Sequence, residues 1–212
     1  MLGDESHYLA LAAAFCRGRL GDVALGDRAA IEAGLAAGLK LHRFKRTAEL
    51  PRVRRVLGAL RALAPVSLLD VGTGRGVFLW PLIDAMPDVE VLAVDRLAHR
   101  VSDLAAVARG GVSRLFAARM DATRLALCDG AVDVVTVLEV LEHIPESEAA
   151  AREAVRVARR AVVATVPSHE DDNPEHIHLY DRARLEAMFR AGGARRVTIE
   201  QVRGHIVLVA LR

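Results

Sequence analysis

One glycine-rich segment has the residue types and spacing of a ligand-binding loop. It reads Asp70-Val71-Gly72-Thr73-Gly74-Arg75-Gly76 and follows a short apolar run that begins at Val66. Glycines permit positive φ angles and let backbone N–H groups approach a ligand at the start of a helix. The dinucleotide-binding fingerprint needs a third glycine where Val77 stands, and the Gly-Lys-Ser/Thr of a P-loop is absent. The spacing Asp-x-Gly-x-Gly-x-Gly therefore favours a different ligand.

A second group of polar residues follows the apolar run 132–138. Glu139, Glu142 and His143 are spaced i, i+3 and i+4, so they share one face if this segment is helical. His176 comes later, in the loop after the next apolar run. Both segments are expected at the carboxyl edge of a sheet, which is where open α/β folds bind ligands.

Apolar, β-branched runs alternate with helical stretches from residue 66 onward, which predicts a parallel sheet covered on both faces. Helix caps are predicted at Ser147 and Asp181. Two final runs are joined by a tight Arg203-Gly204 turn, which predicts an antiparallel hairpin. The predicted strands are 66–71, 89–95, 114–118, 132–138, 161–166, 196–202 and 205–211.

Composition places limits on the class of protein. The chain has 212 residues, 52% of them hydrophobic, with a net charge of +2, which excludes a disordered chain and suits one domain. Charged residues interrupt every apolar run that approaches membrane-spanning length. Cys16 and Cys128 are too few for a disulfide framework. The acidic start, Met1–Glu5, is unlike a secretory signal, so we expect a cytoplasmic protein without membrane insertion.

The segment Lys40–Arg61, called here the basic stripe, carries eight Lys or Arg residues against Glu49. This charge is compatible with binding of an RNA backbone, in which case Phe44 would stack on a base. It is equally compatible with an anionic membrane surface or an acidic substrate. The third interpretation is a solvated face of an arginine-rich helix. Residues 1–64 are helical in pattern and are predicted to form a cap on the α/β body at 65–212.

The glycine loop and the strand order resemble those of the class I S-adenosylmethionine-dependent methyltransferases, from about Leu57 to the C-terminus. The resemblance implies a Rossmann-like three-layer sandwich with a mostly parallel, seven-stranded sheet. It also implies that the loop wraps the methionine part of the cofactor, that Asp95 accepts from the ribose hydroxyls and that Asp121 accepts from the adenine amino group. The expected cofactor-binding residues are Asp70, Gly72, Thr73, Gly74, Gly76, Asp95, Asp121 and Glu139.

The Glu-x-x-Glu-His pattern leaves three interpretations open. It is similar to a cofactor-contacting element in ubiquinone and menaquinone biosynthesis methyltransferases, where His143, with Glu142, would be the catalytic pair and no metal is needed. It also resembles the metal set of Hen-type small-RNA 2′-O-methyltransferases, in which Glu139, Glu142, His143 and His176 would hold Mg²⁺ or Mn²⁺. The third interpretation is a polar lining of a wet cleft.

The sequence therefore predicts an S-adenosylmethionine-dependent methyltransferase that acts on a small-molecule acceptor. The first alternative is a divalent-metal-dependent RNA ribose 2′-O-methyltransferase that contacts RNA through the basic stripe. The second alternative is a module that binds S-adenosylmethionine without catalysis.

Overall fold

The computed structural model describes residues 6–170 and 172–212, and its seven strands follow the apolar runs of the sequence. Parallel strands form at these positions because their side chains are buried on both faces of the sheet. The strands are β1 (Ser67–Val71), β2 (Glu90–Asp95), β3 (Leu115–Arg119), β4 (Val132–Leu138), β5 (Ala158–Pro167), β6 (Arg196–Val202) and β7 (His205–Leu211).

All seven strands belong to one sheet in the order β3-β2-β1-β4-β5-β7-β6. Strands β1 to β5 are parallel, whereas β7 pairs antiparallel with both β5 and β6. The predicted C-terminal hairpin is thus confirmed, with β7 on its inner side. Strand order reverses at β1, which lies between β2 and β4, so a crevice opens at the carboxyl ends of these strands.

Helices cover both faces of this sheet. The helices are α1 (Leu9–Leu20), α2 (Asp27–Ala36), α3 (Pro51–Leu63), α4 (Leu79–Ala85), α5 (Ala98–Arg109), α6 (Ser147–Val157) and α7 (Arg182–Ala191). Neighbouring residues of β1 point into different cores, because side chains alternate along a strand. Leu68 joins a core shared with α1, α3, α4 and α5, while Leu69 joins one shared with α6 and α7. The predicted doubly covered α/β sheet is confirmed.

The described part of the predicted cap, from residue 6 to residue 64, packs directly on the body, whereas residues 1–5 lie outside the described residues. Phe44 is fully buried, with its ring 5.5 Å from that of Phe15 and 5.0 Å from that of Trp80. The idea that Phe44 stacks an RNA base is therefore wrong, because the sequence showed an aromatic among cations but not the apolar pocket that receives it.

Within residues 6–170 and 172–212, half of the cations in the basic stripe have acidic partners. Arg55 forms two hydrogen bonds with Glu200, at 2.5 and 2.7 Å. The other pairs are Arg43 with Asp103, Arg46 with Asp84 and Arg54 with Glu49. Much of the charge that suggested a nucleic-acid surface therefore lies in ion pairs, two of which join the cap to the α5 and β6 segments.

The two predicted helix caps differ in outcome. Asp181 accepts a hydrogen bond from Arg184 N at 2.7 Å and caps α7, as predicted. Ser147 is the first residue of α6 rather than its cap; that position belongs to Glu146, which makes no capping side-chain bond. Among the described residues, no helix combines the length and apolarity that a membrane span requires.

Candidate functional site

The glycine loop between β1 and α4 forms one wall of a cavity of about 630 Å³. Gly72, Gly74 and Gly76 have φ angles of 69°, 61° and 85°, which side chains rarely adopt. A Cβ on Gly76 would lie 2.1 Å from the indole of Trp80, so the close packing at this position requires glycine. Trp80 Nε1 also donates to the carbonyl oxygen of Arg75 at 2.9 Å, and this hydrogen bond holds the loop against α4.

Asp70 anchors the start of the loop from inside the sheet. Its side chain is buried and accepts a hydrogen bond from Thr136 Oγ1 at 2.7 Å. Burial raises the pKa of this carboxyl to about 6, although the hydrogen bonds from Thr136 and Thr73 work in the opposite direction. Thr73 Oγ1 also donates to the Asp70 carbonyl oxygen, at 3.0 Å. Asp70 thus holds a charge at neutral pH that the protein interior disfavours.

Asp95, at the end of β2, is bound to the loop and to the next helix. One carboxylate oxygen accepts from Leu97 N at 2.9 Å, and the other accepts from Gly74 N at 3.0 Å. Arg100 of α5 approaches the second oxygen at 3.2 Å. The carboxylate is buried and lines the cavity, so it is positioned for a ligand that reaches the loop.

Asp121 lies at the cavity rim after β3. Its Oδ1 accepts from the backbone N–H of Thr123 at 2.8 Å and from the hydroxyl of Thr123 at 2.7 Å. These hydrogen bonds lower the pKa of Asp121. The residue is therefore an anionic acceptor at the same edge as Asp95 and Asp70.

Glu139 does not share a helical face with Glu142 and His143, so that expectation is wrong. The residue has a φ of 57°, which turns the chain directly after β4. Its carboxylate accepts from Thr165 Oγ1 at 2.7 Å and lies 3.0 Å from His205 Nε2. Burial alone would raise the pKa of Glu139, but the bonds from His205 and Thr165 outweigh it and lower that pKa. The hydrogen bond to Glu139 raises the pKa of His205.

Glu142 and His143 instead lie in a single 3-10 turn, Leu141–His143, which faces the loop after β5. Glu142 is fully buried, and the rings of His143 and His176 are 4.7 Å apart. One possible ligand atom from each of these three residues lies within 4.8 Å of the others. Three of the four residues of the expected metal set therefore lie together in the structure. The fourth, Glu139, instead contacts Thr165 and His205.

The same cavity is also lined by α3, through residues that were not predicted as site residues. Arg52, Val53 and Val56 of α3 line it together with Phe78. His143 lines it as well, whereas His176 is not among its lining residues. In the sequence Arg52 looks like every other cation of the basic stripe, so no local signal distinguishes it.

Comparisons with known proteins agree with this geometry. Residues 68–161 match the family model described as a methyltransferase domain. This part of the chain is therefore similar to a methyltransferase domain, and the fold is the one found in class I S-adenosylmethionine-dependent methyltransferases. These similarities support a role in enzymatic methyl transfer with S-adenosylmethionine as the cofactor. No curated protein matches the sequence significantly.

Solved methyltransferase structures share the fold of this chain at low sequence identity. An S-adenosylmethionine-dependent methyltransferase from Aquifex aeolicus aligns with a TM-score of 0.63 and 21% identity, covering 77% of this chain and 91% of its own. Magnesium protoporphyrin IX methyltransferase from Synechocystis PCC 6803, solved with S-adenosylhomocysteine, gives 0.61 and 19%, covering 76% and 82%. A chain from the complex of the Haloferax volcanii Trm112 activator with a methyltransferase gives 0.58 and 17%, covering 76% and 93%.

Proposed function

We propose that the cofactor lies along the carboxyl ends of β1 and β2. The adenine amino group then donates to Asp121, the ribose hydroxyls donate to Asp95, and the methionine part follows the loop Gly72–Gly76. This placement is supported by the shared cavity and by the order of three carboxylates, Asp70, Asp95 and Asp121, at successive strand ends. Two vicinal hydroxyls suit a carboxylate because it offers two acceptor oxygens.

The reaction that this site supports best is in-line transfer of the methyl group to a small-molecule acceptor. The observation that carries the proposal is the single cavity that contains both the glycine loop and His143. Its volume of about 630 Å³ lies within the roughly 300–1,000 Å³ typical of small-molecule sites. Because the sulfonium is already activated, the protein mainly has to align the acceptor and exclude water. Residues 1–64 would act as a cap that closes the acceptor side.

His143 is the proposed general base when the acceptor is a hydroxyl, with Glu142 as its neighbour in the 3-10 turn. His143 Nδ1 lies 2.9 Å from the carbonyl oxygen of Glu175. A carbonyl only accepts hydrogen bonds, so Nδ1 carries the proton and the lone pair of the neutral ring resides on Nε2. This tautomer supports a base that points its free nitrogen away from the Glu175 loop.

The test is a transfer assay with methyl-labelled S-adenosylmethionine and a panel of hydroxylated small molecules, without added metal. We expect turnover on a subset of the panel, a fall of roughly 100-fold or more in His143→Ala, and unchanged binding of S-adenosylhomocysteine. His99→Ala, which alters an exposed histidine of α5, is the matched control. Full activity in His143→Ala would remove the base from this proposal. Cofactor binding with no turnover on any acceptor would favour the non-catalytic module.

The grouping of Glu142, His143 and His176 favours a second candidate, divalent-metal-dependent 2′-O-methylation of RNA ribose. Two imidazoles and a carboxylate are suitable ligands for a transition-metal ion, and a ring N–H bonded to a backbone carbonyl is common among metal-binding histidines. A metal bound there would lower the pKa of a ribose hydroxyl. However, it would occupy the same His143 lone pair that the base needs, so the two mechanisms exclude each other.

Titration with Mn²⁺, repeated in Glu142→Gln and after chelation, separates the two candidates. A specific site that Glu142→Gln removes, together with Mn²⁺-dependent transfer to RNA with a free 2′,3′-diol, would establish the second candidate. Metal-independent turnover on small acceptors would establish the first. Glu175→Gln is a suitable control because Glu175 is exposed and lies at the cavity but contributes only its backbone carbonyl to His143.

A further inference from the structure

The segment after β5 lies against the 3-10 turn that follows β4. Within residues 175–180, called here the clamp loop, side chains alternate between covered and open positions. The outward side chains, Ile177 and Leu179, are 51% and 46% exposed. The inward side chains are half-buried or buried, and they are His176, His178 and Tyr180. This alternation is typical of an extended segment, so one face of the clamp loop is directed at the turn.

Two inward side chains of the clamp loop bind carbonyl oxygens on either side of the turn. The Tyr180 hydroxyl donates to the carbonyl oxygen of Leu141, the first residue of the turn, at 3.1 Å. His178 Nε2 lies 3.1 Å from the carbonyl oxygen of Ile144, the residue after the turn. Because a carbonyl oxygen only accepts hydrogen bonds, His178 Nε2 carries a proton and donates it.

The main chains of the two segments also meet, and one of these contacts holds the ring of His143. Ile177 N donates to the carbonyl oxygen of Glu142 at 2.9 Å. In the opposite direction, the carbonyl oxygen of Glu175 accepts from His143 Nδ1 at 2.9 Å. The place of the Glu175 carbonyl relative to the imidazole therefore depends on how the clamp loop is seated on the turn.

The turn depends on these contacts because its own hydrogen bonding is weak. A 3-10 turn closes with poorer hydrogen-bond geometry than an α-helix. Here the closing bond, from Ile144 N to the Leu141 carbonyl oxygen, is 3.3 Å long, and the Tyr180 hydroxyl shares that acceptor at a shorter distance. The position of His143 is thus set by residues that come 32 to 39 positions later in the chain than their partners.

Tyr180 is itself firmly held. It is 2% exposed and belongs to the core that α6 and α7 share. The Arg184 guanidinium lies over its ring at 4.8 Å from the centroid, and the ring of His178 is 5.7 Å away. The clamp loop therefore connects the turn to the packed side of the sheet.

We propose that Tyr180 and His178 are positioning residues for methyl transfer, which hold the turn so that His143 keeps its proton on Nδ1 and its lone pair on Nε2. This role rests on the proposed function, in which His143 is the base. Neither Tyr180 nor His178 lines the cavity, so both act through the turn and not on the acceptor. Such an effect on rate is expected, since a misplacement of about 1 Å can cost roughly 100-fold.

The first measurement is the tautomer of His143, from nitrogen-15 NMR of the full chain with labelled histidine at a pH where the ring is neutral. Loss of the signal in His143→Gln assigns it. We expect the proton on Nδ1 in the wild type and a mixture of both tautomers in Tyr180→Phe and in His178→Leu. His178→Gln should keep the wild-type tautomer, because its amide can donate to the same carbonyl oxygen.

The second measurement is transfer from S-adenosylmethionine to the hydroxylated panel used for the proposed function. Tyr180→Phe and His178→Leu should each lower kcat by roughly 10-fold, with the KM of the acceptor and the binding of S-adenosylhomocysteine within about 2-fold of the wild type. His178→Gln should recover most of the rate. Tyr8→Phe is the matched control, because the buried Tyr8 hydroxyl has no hydrogen-bond partner among residues 6–170 and 172–212.

A proton on Nε2 of His143 in the wild type would overturn the proposal, as would a tautomer that neither Tyr180→Phe nor His178→Leu alters. Equal losses of kcat and of cofactor binding would also overturn it, because the clamp loop would then support the whole site. Failure of the proposed base is distinguishable: His143→Ala would keep its turnover while the tautomer still responds to Tyr180→Phe. Circular dichroism of each variant checks that the fold is intact.

Discussion

The two halves of the cavity hold their carboxylates in different ways. After β2 and β3, Asp95 is bound by the main-chain N–H groups of Gly74 and Leu97, and Asp121 is bound within its own turn. After β4, Glu139 is bound by the side chains of Thr165 and His205, which belong to other strands. Main-chain donors depend only on the course of a loop, whereas side-chain donors depend on which strands become neighbours. The main-chain hydrogen bonds to Asp95 and Asp121 therefore form wherever the loops take this course. The side-chain hydrogen bonds to Glu139 form only when the sheet is complete.

The largest change in stability is expected for Gly76→Ala, which tests the close packing of the glycine loop against Trp80. A Cβ would overlap the indole of Trp80 and would also stand at a φ of 85°. We expect the free energy of unfolding to fall by about 3–5 kcal/mol, from overpacking and left-handed strain together. Gly74→Ala is the matched control, because its Cβ would meet nothing closer than 3.7 Å, and it should cost about 1–2 kcal/mol. Urea unfolding gives both values, and equal losses would contradict the packing argument.

Replacing the buried Asp70 by Asn measures how much the burial of this carboxylate destabilises the folded chain. The pKa of Asp70 is about 6 in the folded chain against 3.8 as the ordinary value. The folded state therefore binds the proton more tightly, and Asp70 lowers stability as the pH rises from about 4 to about 6. The difference of about 2.2 pKa units corresponds to about 3 kcal/mol. Asp70→Asn should match the wild type near pH 4 and exceed its unfolding free energy by up to this amount above pH 7. A constant difference across this range would contradict the assignment.

Removing the carboxylate of Asp95 tests its proposed role in cofactor binding. Asp95→Ala should weaken binding of S-adenosylhomocysteine by one to three orders of magnitude, since one or two hydrogen bonds to a charged group are lost. Calorimetric titration measures the loss. Asp84→Ala, which changes an exposed aspartate paired with Arg46, should leave binding unaltered. Unchanged affinity in Asp95→Ala would show that the ribose lies elsewhere.

The smallest effect is expected for the pair of Glu139, after β4, and His205 of β7. Each of Glu139→Gln and His205→Gln should lower the unfolding free energy by about 1 kcal/mol, because the pair is partly exposed and screened. The raised pKa of His205 means that its contribution is complete below pH 6.5 and disappears as the pH rises through the folded pKa. The lowered pKa of Glu139 means that its contribution is complete above pH 4.5 and is lost as the pH falls. The unfolding free energies of the wild type and of the two variants, measured from pH 4 to pH 9, should therefore differ most in the middle of this range and approach each other toward both ends.

The sequence was sufficient where the structure depends on local rules. Apolar runs and turn residues located every strand to within three residues, including the end of β2 at Asp95. It was insufficient where a residue's role depends on a distant partner. Glu139 looked helical beside Glu142 and His143 because nothing nearby signals that His205 of β7 lies next to it. Phe44 looked like a stacking platform because its apolar pocket comes from Phe15 and Trp80.

The burial of Phe44 against Trp80 has a practical consequence. Trp80 is the one tryptophan in the sequence, and it touches the cap through Phe44 and the glycine loop through Gly76 and Arg75. Its indole is 2% exposed, so its emission should be blue-shifted in the native protein. Fluorescence excited selectively in tryptophan therefore reports on one residue at the junction of cap and loop. Ligand docking and cap release can each be followed optically without attaching a label.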